Sequence, residues 1–194
     1  MPCAHRTRVP CVRIVSSRGA SSASSSDDGA KVKMYDVRGK GVAGGCSIRA
    51  GEKHKVQTDL PKSMGGNDDA PQPVELLVSA LIGCEQATAA FVARHMKPRM
   101  KLKGVQFRYI ATRDDRGATA LPLDVIPPVS ARLQKVSGTA LVHIFSGTET
   151  NERIDQLKRH VEARCPVANT LASAGCELNI NWVLADPESA FDEL

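Results

Sequence analysis

Residues 71–95 read PQPVELLVSALIGCEQATAAFVARH. Pro73 suits the first turn of a helix, where its missing N–H removes no bond. Glu75 falls in the same turn, where a carboxylate complements the helix dipole. Behind it Leu76, Leu77, Ala80, Leu81, Cys84, Ala87, Thr88 and Phe91 recur at helical spacing. Val78, Ile82, Ala89 and Ala90 add apolar surface on the other sides, so the helix is expected to be buried on most faces. From Pro73 to His95 it would run about 34 Å, the width of a small domain. The rest of the chain is therefore expected to wrap around it.

A membrane span is the rival reading. The unbroken apolar run is short, Glu85 and Gln86 interrupt it, and a span needs about 20 mainly apolar residues. The segment is read as a core helix, with no membrane span. The 194 residues suffice for one domain with a sizeable core, and 42% hydrophobic with 24% charged residues describes a globular chain. The net charge of +5 is concentrated at the start. Residues 1–26 hold Arg6, Arg8, Arg13 and Arg18 and no acid, leaving +1 (5 − 4) for the remainder. A nearly neutral body with 4% aromatics argues against a nucleic-acid partner, which requires a basic face or stacking surface.

Residues 1–26, rich in Arg and Ser, have the composition of an organelle-targeting presequence, mitochondrial by preference. A disordered basic tail on a cytoplasmic protein, or on one of another organelle, fits the same composition. Asp27, Asp28 and Gly29 would open the mature body. A first strand is expected around Val32, Met34 and Tyr35, then short strands at Cys46–Arg49 and His54–Thr58, with glycines at the turns. Asp59 to Gln72 is a loop punctuated by Pro61, Gly65, Gly66 and Pro71. After the central helix, Val105, Phe107 and Tyr109 alternate with polar neighbours as a half-buried strand. Val129, Ala131 and Leu133 alternate likewise, and Ala140 to Phe145 is apolar, predicting one long bent strand or two pieces. Ser146 and Glu149 have capping-box spacing before a helix with Ile154, Leu157 and Val161 on one face. Pro166 can open another helix that Gly175 stops. Residues 176–184 are strand-like, and 186–194 form an acidic tail.

Six cysteines, Cys3, Cys11, Cys46, Cys84, Cys165 and Cys176, contain no C-x-x-C pair, so a structural zinc site has little support and no metal ligands are assigned. Cys165 precedes an expected helix N-terminus, whose unpaired N–H groups favour a thiolate, and Arg164 adds positive charge. A small packing residue at a helix junction is the plainer reading. Cys84 lies on the apolar helix, where a free cysteine ordinarily packs as a small hydrophobe. Cys46 and Cys176, on strand-like segments, are read as packing residues.

Residues 65–84 (GGNDDAPQPVELLVSALIGC) resemble the first signature of the OsmC/Ohr family, and residues 164–171 (RCPVANTL) resemble the second. The order of strands, helix, strands, two helices and final strand is similar to that family over residues 31–185. The resemblance implies an α+β OsmC-like fold, a mixed or antiparallel sheet with a long buried central helix, in an intertwined homodimer. It implies a thiol-dependent peroxidase in which Cys84 is the peroxidatic cysteine and Cys165 the resolving one. An organic hydroperoxide would oxidise Cys84 to a sulfenic acid, a Cys84–Cys165 disulfide would form next, and an external dithiol reductant of lipoyl or thioredoxin type would reopen it. No metal or bound cofactor is implied. The family's peroxidases carry a catalytic Glu ten positions before the first cysteine, where this chain has Val74. Glu75, nine before, points roughly opposite Cys84 on one helix; it caps the helix or reaches a partner subunit. Arg38 and Arg49 are the candidates for the family's catalytic Arg. These departures keep open an alternative, a non-catalytic stress protein that binds an apolar small molecule or senses oxidants.

Overall fold

The computed structural model describes residues 31–145, 149–186 and 191. The leader over residues 1–26, the opening at Asp27–Gly29, Ser146 of the expected capping box and most of the acidic tail lie outside the described residues. Residues 31–35 carry no regular secondary structure, and the second unit is Asp36–Leu194.

The first strand is Val37–Val42 (β1), later than the expected Val32–Tyr35. The shift comes from pairing. A two-residue turn at Ala43–Gly44 sets β1 antiparallel to Gly45–Ala50 (β2), with Val42 opposite Gly45 and Val37 opposite Ala50. Beyond Ala50 the chain turns at Gly51, which has φ +61, and the β1–β2 ladder ends there, with Val37 opposite Ala50. His54–Thr58 (β3) completes an antiparallel sheet in the order β1-β2-β3.

The loop after β3 is organised by the buried carboxylate of Asp59. It accepts from the backbone N–H groups of Leu60 (2.8 Å), Asn67 (3.0 Å) and Asp69 (3.3 Å). Those bonds hold the Asp59 carboxyl below its ordinary pKa. Gly66 is required in this turn, because a Cβ there would overlap the Leu60 carbonyl. The loop delivers the chain to the central helix, Pro73–His95 (α1).

A second, mixed sheet comes after α1. Leu102–Thr112 (β4) runs antiparallel to Lys135–Ile144 (β5), and β5 is parallel to Glu177–Leu184 (β6). A parallel pair needs a crossover. Helices Asn151–Glu162 (α3) and Pro166–Ser173 (α4) supply it. Between β4 and β5 lies only a short helix, Arg116–Thr119 (α2). The alternation at Val129–Leu133 is not a strand. The Arg132 N–H bonds locally to the Ser130 carbonyl, and the backbone of Val129 and Ala131 passes close over Gly117. Ladder pairing starts at Lys135.

The core gathers Leu81, Ala89, Val92 and Ala93 of α1, Val136, Ala140 and Val142 of β5, Ile154, Leu157 and Val161 of α3, and Trp182 of β6. The α3 stripe is the one its spacing predicts. Its N-cap is Thr150, however, and Glu149 pairs with Arg153 at 3.1 Å rather than closing a capping box.

By length and composition alone α1 passes the test for a membrane-crossing helix. Here it is a core element that packs on α3, α4 and β4. Only one stripe is buried, Leu81, Glu85, Ala89, Val92 and Ala93, with spacings of three and four residues. Leu81 and Ala89 of the expected apolar positions lie in it, whereas Leu77 is 42% exposed and Phe91 49%. The expected burial on most faces is thus not reached in the single chain.

Candidate functional site

Cys84 stands near the middle of α1 and is half-buried. Cys165 is the N-cap of α4 and is completely buried. Although 81 positions separate them (165 − 84), the Cys84 thiol lies close enough to the Cys165 thiol to raise its pKa. The packing of α1 on α3 and α4 brings them together. The Ala168 N–H, in the first turn of α4, donates to the Cys165 sulfur at 3.5 Å.

The electrostatics of Cys165 reverse the expectation of an activated thiolate. Burial pushes its pKa from 9.0 up to about 11, the Ala168 N–H opposes that, and the Cys84 thiol and the Glu85 charge add to the rise. Desolvation outweighs the helix N-terminus. Arg164 does not help, since its guanidinium turns away to the His160 ring and carbonyl, both at 3.2 Å.

Beside the thiols sits a group whose place in the sequence served only to argue against a membrane span. Glu85 is 2% exposed. The Tyr109 hydroxyl of β4 donates to its carboxylate. Burial raises the Glu85 pKa, Tyr109 pulls it down, and Glu162 on α3 raises it further. The Tyr109 pKa rises as well, through burial first and then Glu85. Tyr109 lies edge-on to Phe107, which in turn lies edge-on to Trp182, with centroids 5.6 and 6.1 Å apart. The signal for Glu85 was present in the spacing: it is in phase with Leu81, Ala89 and Val92. A carboxylate in an apolar phase marks a buried polar group that needs a partner.

Glu75 is placed elsewhere. Its carboxylate accepts from the Gln72 N–H at 2.8 Å, completing a capping box at the start of α1. It stands nine residues from Cys84, about 13.5 Å along the helix. Arg38 and Arg49 face each other across β1 and β2. They line a cavity of about 990 Å³ with Lys55, Asp69 and Leu76, and neither Cys84 nor Cys165 borders it. Within one chain, neither the Glu nor the Arg expected from the resemblance joins the thiols. Cys46 and Cys176 are free thiols, half-buried and buried, on or beside strands. Among the described residues, no group of three or more His, Cys, Asp and Glu is arranged to hold a metal ion.

The fold is that of solved OsmC-like proteins. An OsmC-like protein from Mycoplasma pneumoniae superimposes with TM-score 0.60 at 21% identity, covering 79% of this chain and 99% of that one. An organic hydroperoxide resistance protein from Elizabethkingia anophelis gives 0.57 at 16%, covering 80% and 99%. An organic hydroperoxide resistance protein OsmC from Legionella pneumophila gives 0.53 at 16%, covering 81% and 100%. No curated protein matches the sequence. The family model described as OsmC-like protein matches residues 66–181, more than half of the chain. Both cysteine segments, the helix that carries one and the junction that carries the other fall inside that span, and the chain belongs to the OsmC-like protein family.

Proposed function

We propose that this protein is a thiol-dependent peroxidase that reduces organic hydroperoxides through a Cys84 sulfenic acid and a Cys84–Cys165 disulfide. The observation that carries the reading is the pair of neighbouring thiols, one half-buried and one fully buried. Two of the solved structures that share the fold are described as organic hydroperoxide resistance proteins, which supports the same class of substrate. The Cys84 thiolate attacks the O–O bond of the hydroperoxide and becomes a sulfenic acid, while the alkoxide leaves and takes a proton to become the alcohol. The Cys165 sulfur then displaces hydroxide from Cys84, forming the disulfide and water. An external dithiol of lipoyl or thioredoxin type reduces that disulfide and is itself oxidised.

The partner for this site is a second copy of the chain. The exposed apolar face of α1 and the fully exposed β1 are surfaces that an intertwined homodimer would cover. The dimer would also give the Arg38–Arg49 cavity and Glu75 a second set of neighbours. The composition of the leader supports mitochondrial import; a cytoplasmic or other organellar location is the alternative.

A second reading, a non-catalytic protein that binds an apolar ligand or senses oxidants, is favoured by one observation. Val74 occupies the position of the family's catalytic Glu, and Glu75 is engaged as a helix cap.

The experiment treats the reduced protein with one equivalent of cumene hydroperoxide or hydrogen peroxide, then tracks thiol loss and intact mass. The peroxidase reading expects loss of two thiols, faster with the organic peroxide, and turnover when a dithiol is supplied. Cys84→Ser is expected to abolish turnover, and Cys165→Ser to accumulate a trappable sulfenic acid. Full turnover in both serine variants would remove this reading. A slow disulfide with no turnover would favour the second.

A further inference from the structure

Glu85 is the chemically anomalous residue of the core. It is a carboxyl group in the buried stripe of the central helix, and its hydrogen-bond partner is a phenol rather than a cation. Three elements converge on it. Helix α1 contributes Cys84 in the preceding position, β4 contributes Tyr109, and the α3–α4 junction contributes Cys165. The Cys165 thiol lies within the electrostatic reach of both Glu85 and Tyr109. The charged and titratable groups that face Glu85 are Tyr109 from β4, Glu162 from α3 and Cys165 from the junction. None of them is basic.

The chemistry of the thiol pair needs such a group. Cys165 is wholly buried, and its S–H is held in the protonated form by burial first, with the neighbouring Cys84 thiol and the Glu85 charge adding to it. A thiol is a poor nucleophile until its proton leaves. Glu85 is the buried carboxylate that stands beside that sulfur.

We propose that Glu85, held in place by the Tyr109 hydroxyl, accepts the proton of the Cys165 thiol as Cys165 closes onto oxidised Cys84. The inference rests on reading Cys84 and Cys165 as a redox pair and assigns that pair its internal base. With the sulfenic acid, the Glu85 carboxylate takes the Cys165 proton, the Cys165 sulfur bonds to the Cys84 sulfur, and the S–O bond breaks. The departing hydroxide takes the proton from Glu85 and leaves as water, so Glu85 ends ionised as it began. Tyr109 is a positioning residue. Its hydrogen bond favours the carboxylate, so its loss raises the Glu85 pKa. Closure needs Glu85 ionised and therefore slows as the pH falls through that pKa.

The test uses the full chain with Cys3, Cys11, Cys46 and Cys176 replaced by Ser, so that Cys84 and Cys165 alone remain. An aromatic disulfide, 5,5′-dithiobis(2-nitrobenzoate), releases one thionitrobenzoate as it caps Cys84 and a second as Cys165 closes the ring. The rate of the second release is recorded against pH, with no peroxide present. Glu85→Gln is expected to slow it by at least about tenfold at neutral pH and to remove its acid limb. Tyr109→Phe is expected to move the acid limb to higher pH by about half a unit or more. Wild-type closure rates in Glu85→Gln with an unchanged pH profile would overturn the proposal. If Glu85→Gln does not fold, an unshifted acid limb in Tyr109→Phe would overturn it. A protein that closes in this assay but ignores hydroperoxides loses the peroxidase reading and keeps the role of Glu85. One that never releases the second equivalent loses both.

Discussion

The Cys84 thiol is a neighbour of the Cys165 thiol, close enough to raise its pKa, yet the first is half-buried and the second has no exposed surface. A reagent arriving from solvent meets Cys84 first. Cys165 can act only from behind, on whatever Cys84 has become. In the proposed peroxidase, that asymmetry, rather than the order of the two residues in the chain, is what would separate an attacking from a resolving sulfur.

The same burial makes Cys165 a pH-dependent element of stability. Its pKa rises from 9.0 to about 11 on folding. Between those values the unfolded chain has lost the proton that the folded protein retains. Stability is therefore fully present below about pH 9 and falls as the pH rises towards 11. The loss from this one group is on the order of 2 kcal/mol. Urea unfolding at pH 8 and at pH 10.5 is expected to show a larger drop in wild type than in Cys165→Ala. Cys176 and Tyr109 shift in the same direction and remain in both proteins. Equal drops would contradict the assignment.

Gly138 lies opposite Tyr109 in the β4–β5 ladder. A Cβ there would overlap the Arg108 carbonyl oxygen. Gly138→Ala is expected to push β4 away just where Tyr109 reaches Glu85. The cost is about 3 kcal/mol, as for other overpacked sites. A shift in urea midpoint measures it. A variant as stable as wild type would show that β4 yields there without strain.

Asp59 is expected to matter through the loop rather than through the core. Asp59→Ala removes one acceptor shared by three N–H groups. Hydrogen exchange at Leu60, Asn67 and Asp69 is predicted to accelerate while α3 and β5 keep their protection. Because the Asp59 pKa is depressed in the fold, its contribution is present above the ordinary carboxylate pKa. It is lost as the pH falls through the lowered value. In wild type the same three amides should exchange faster, relative to α3, in acid. Unchanged protection in the variant would show that the loop holds itself.

The open face of α1 makes an association prediction. Leu77 and Phe91, 42% and 49% exposed, lie off the buried stripe of the helix. Leu77→Lys combined with Phe91→Glu places charge on a surface that a second copy would cover, at a cost of several kcal/mol in a buried interface. Sedimentation is expected to show a dimer for wild type and a monomer for the double variant. A monomeric wild type would remove the homodimer from the proposal.

Much of this was legible one residue at a time. The limits of α1, the loop before it, the inward phase of Val105, Phe107 and Tyr109, and the stripe of Ile154, Leu157 and Val161 come from local periodicity and from Pro and Gly. These are properties of neighbouring residues. The expected first strand at Val32–Tyr35 failed for a non-local reason, since a strand exists only where its partner runs, and β2 ends at Ala50. Burial of α1 on most faces was expected, and the single chain buries one stripe. A helix apolar nearly all round does not specify which side its neighbours take.

The sequence by itself determined the helices α1, α3 and α4, the order of the main elements and the two cysteine segments, because short-range spacing and chain direction are written in it. Only the tertiary structure decided that Cys84 and Cys165 meet, that Cys165 is harder rather than easier to ionise, and that Glu85 and Tyr109 stand with them. The physical reason is that proximity and desolvation depend on how α1, α3, α4 and β4 pack together. Neither quantity belongs to any single stretch of chain.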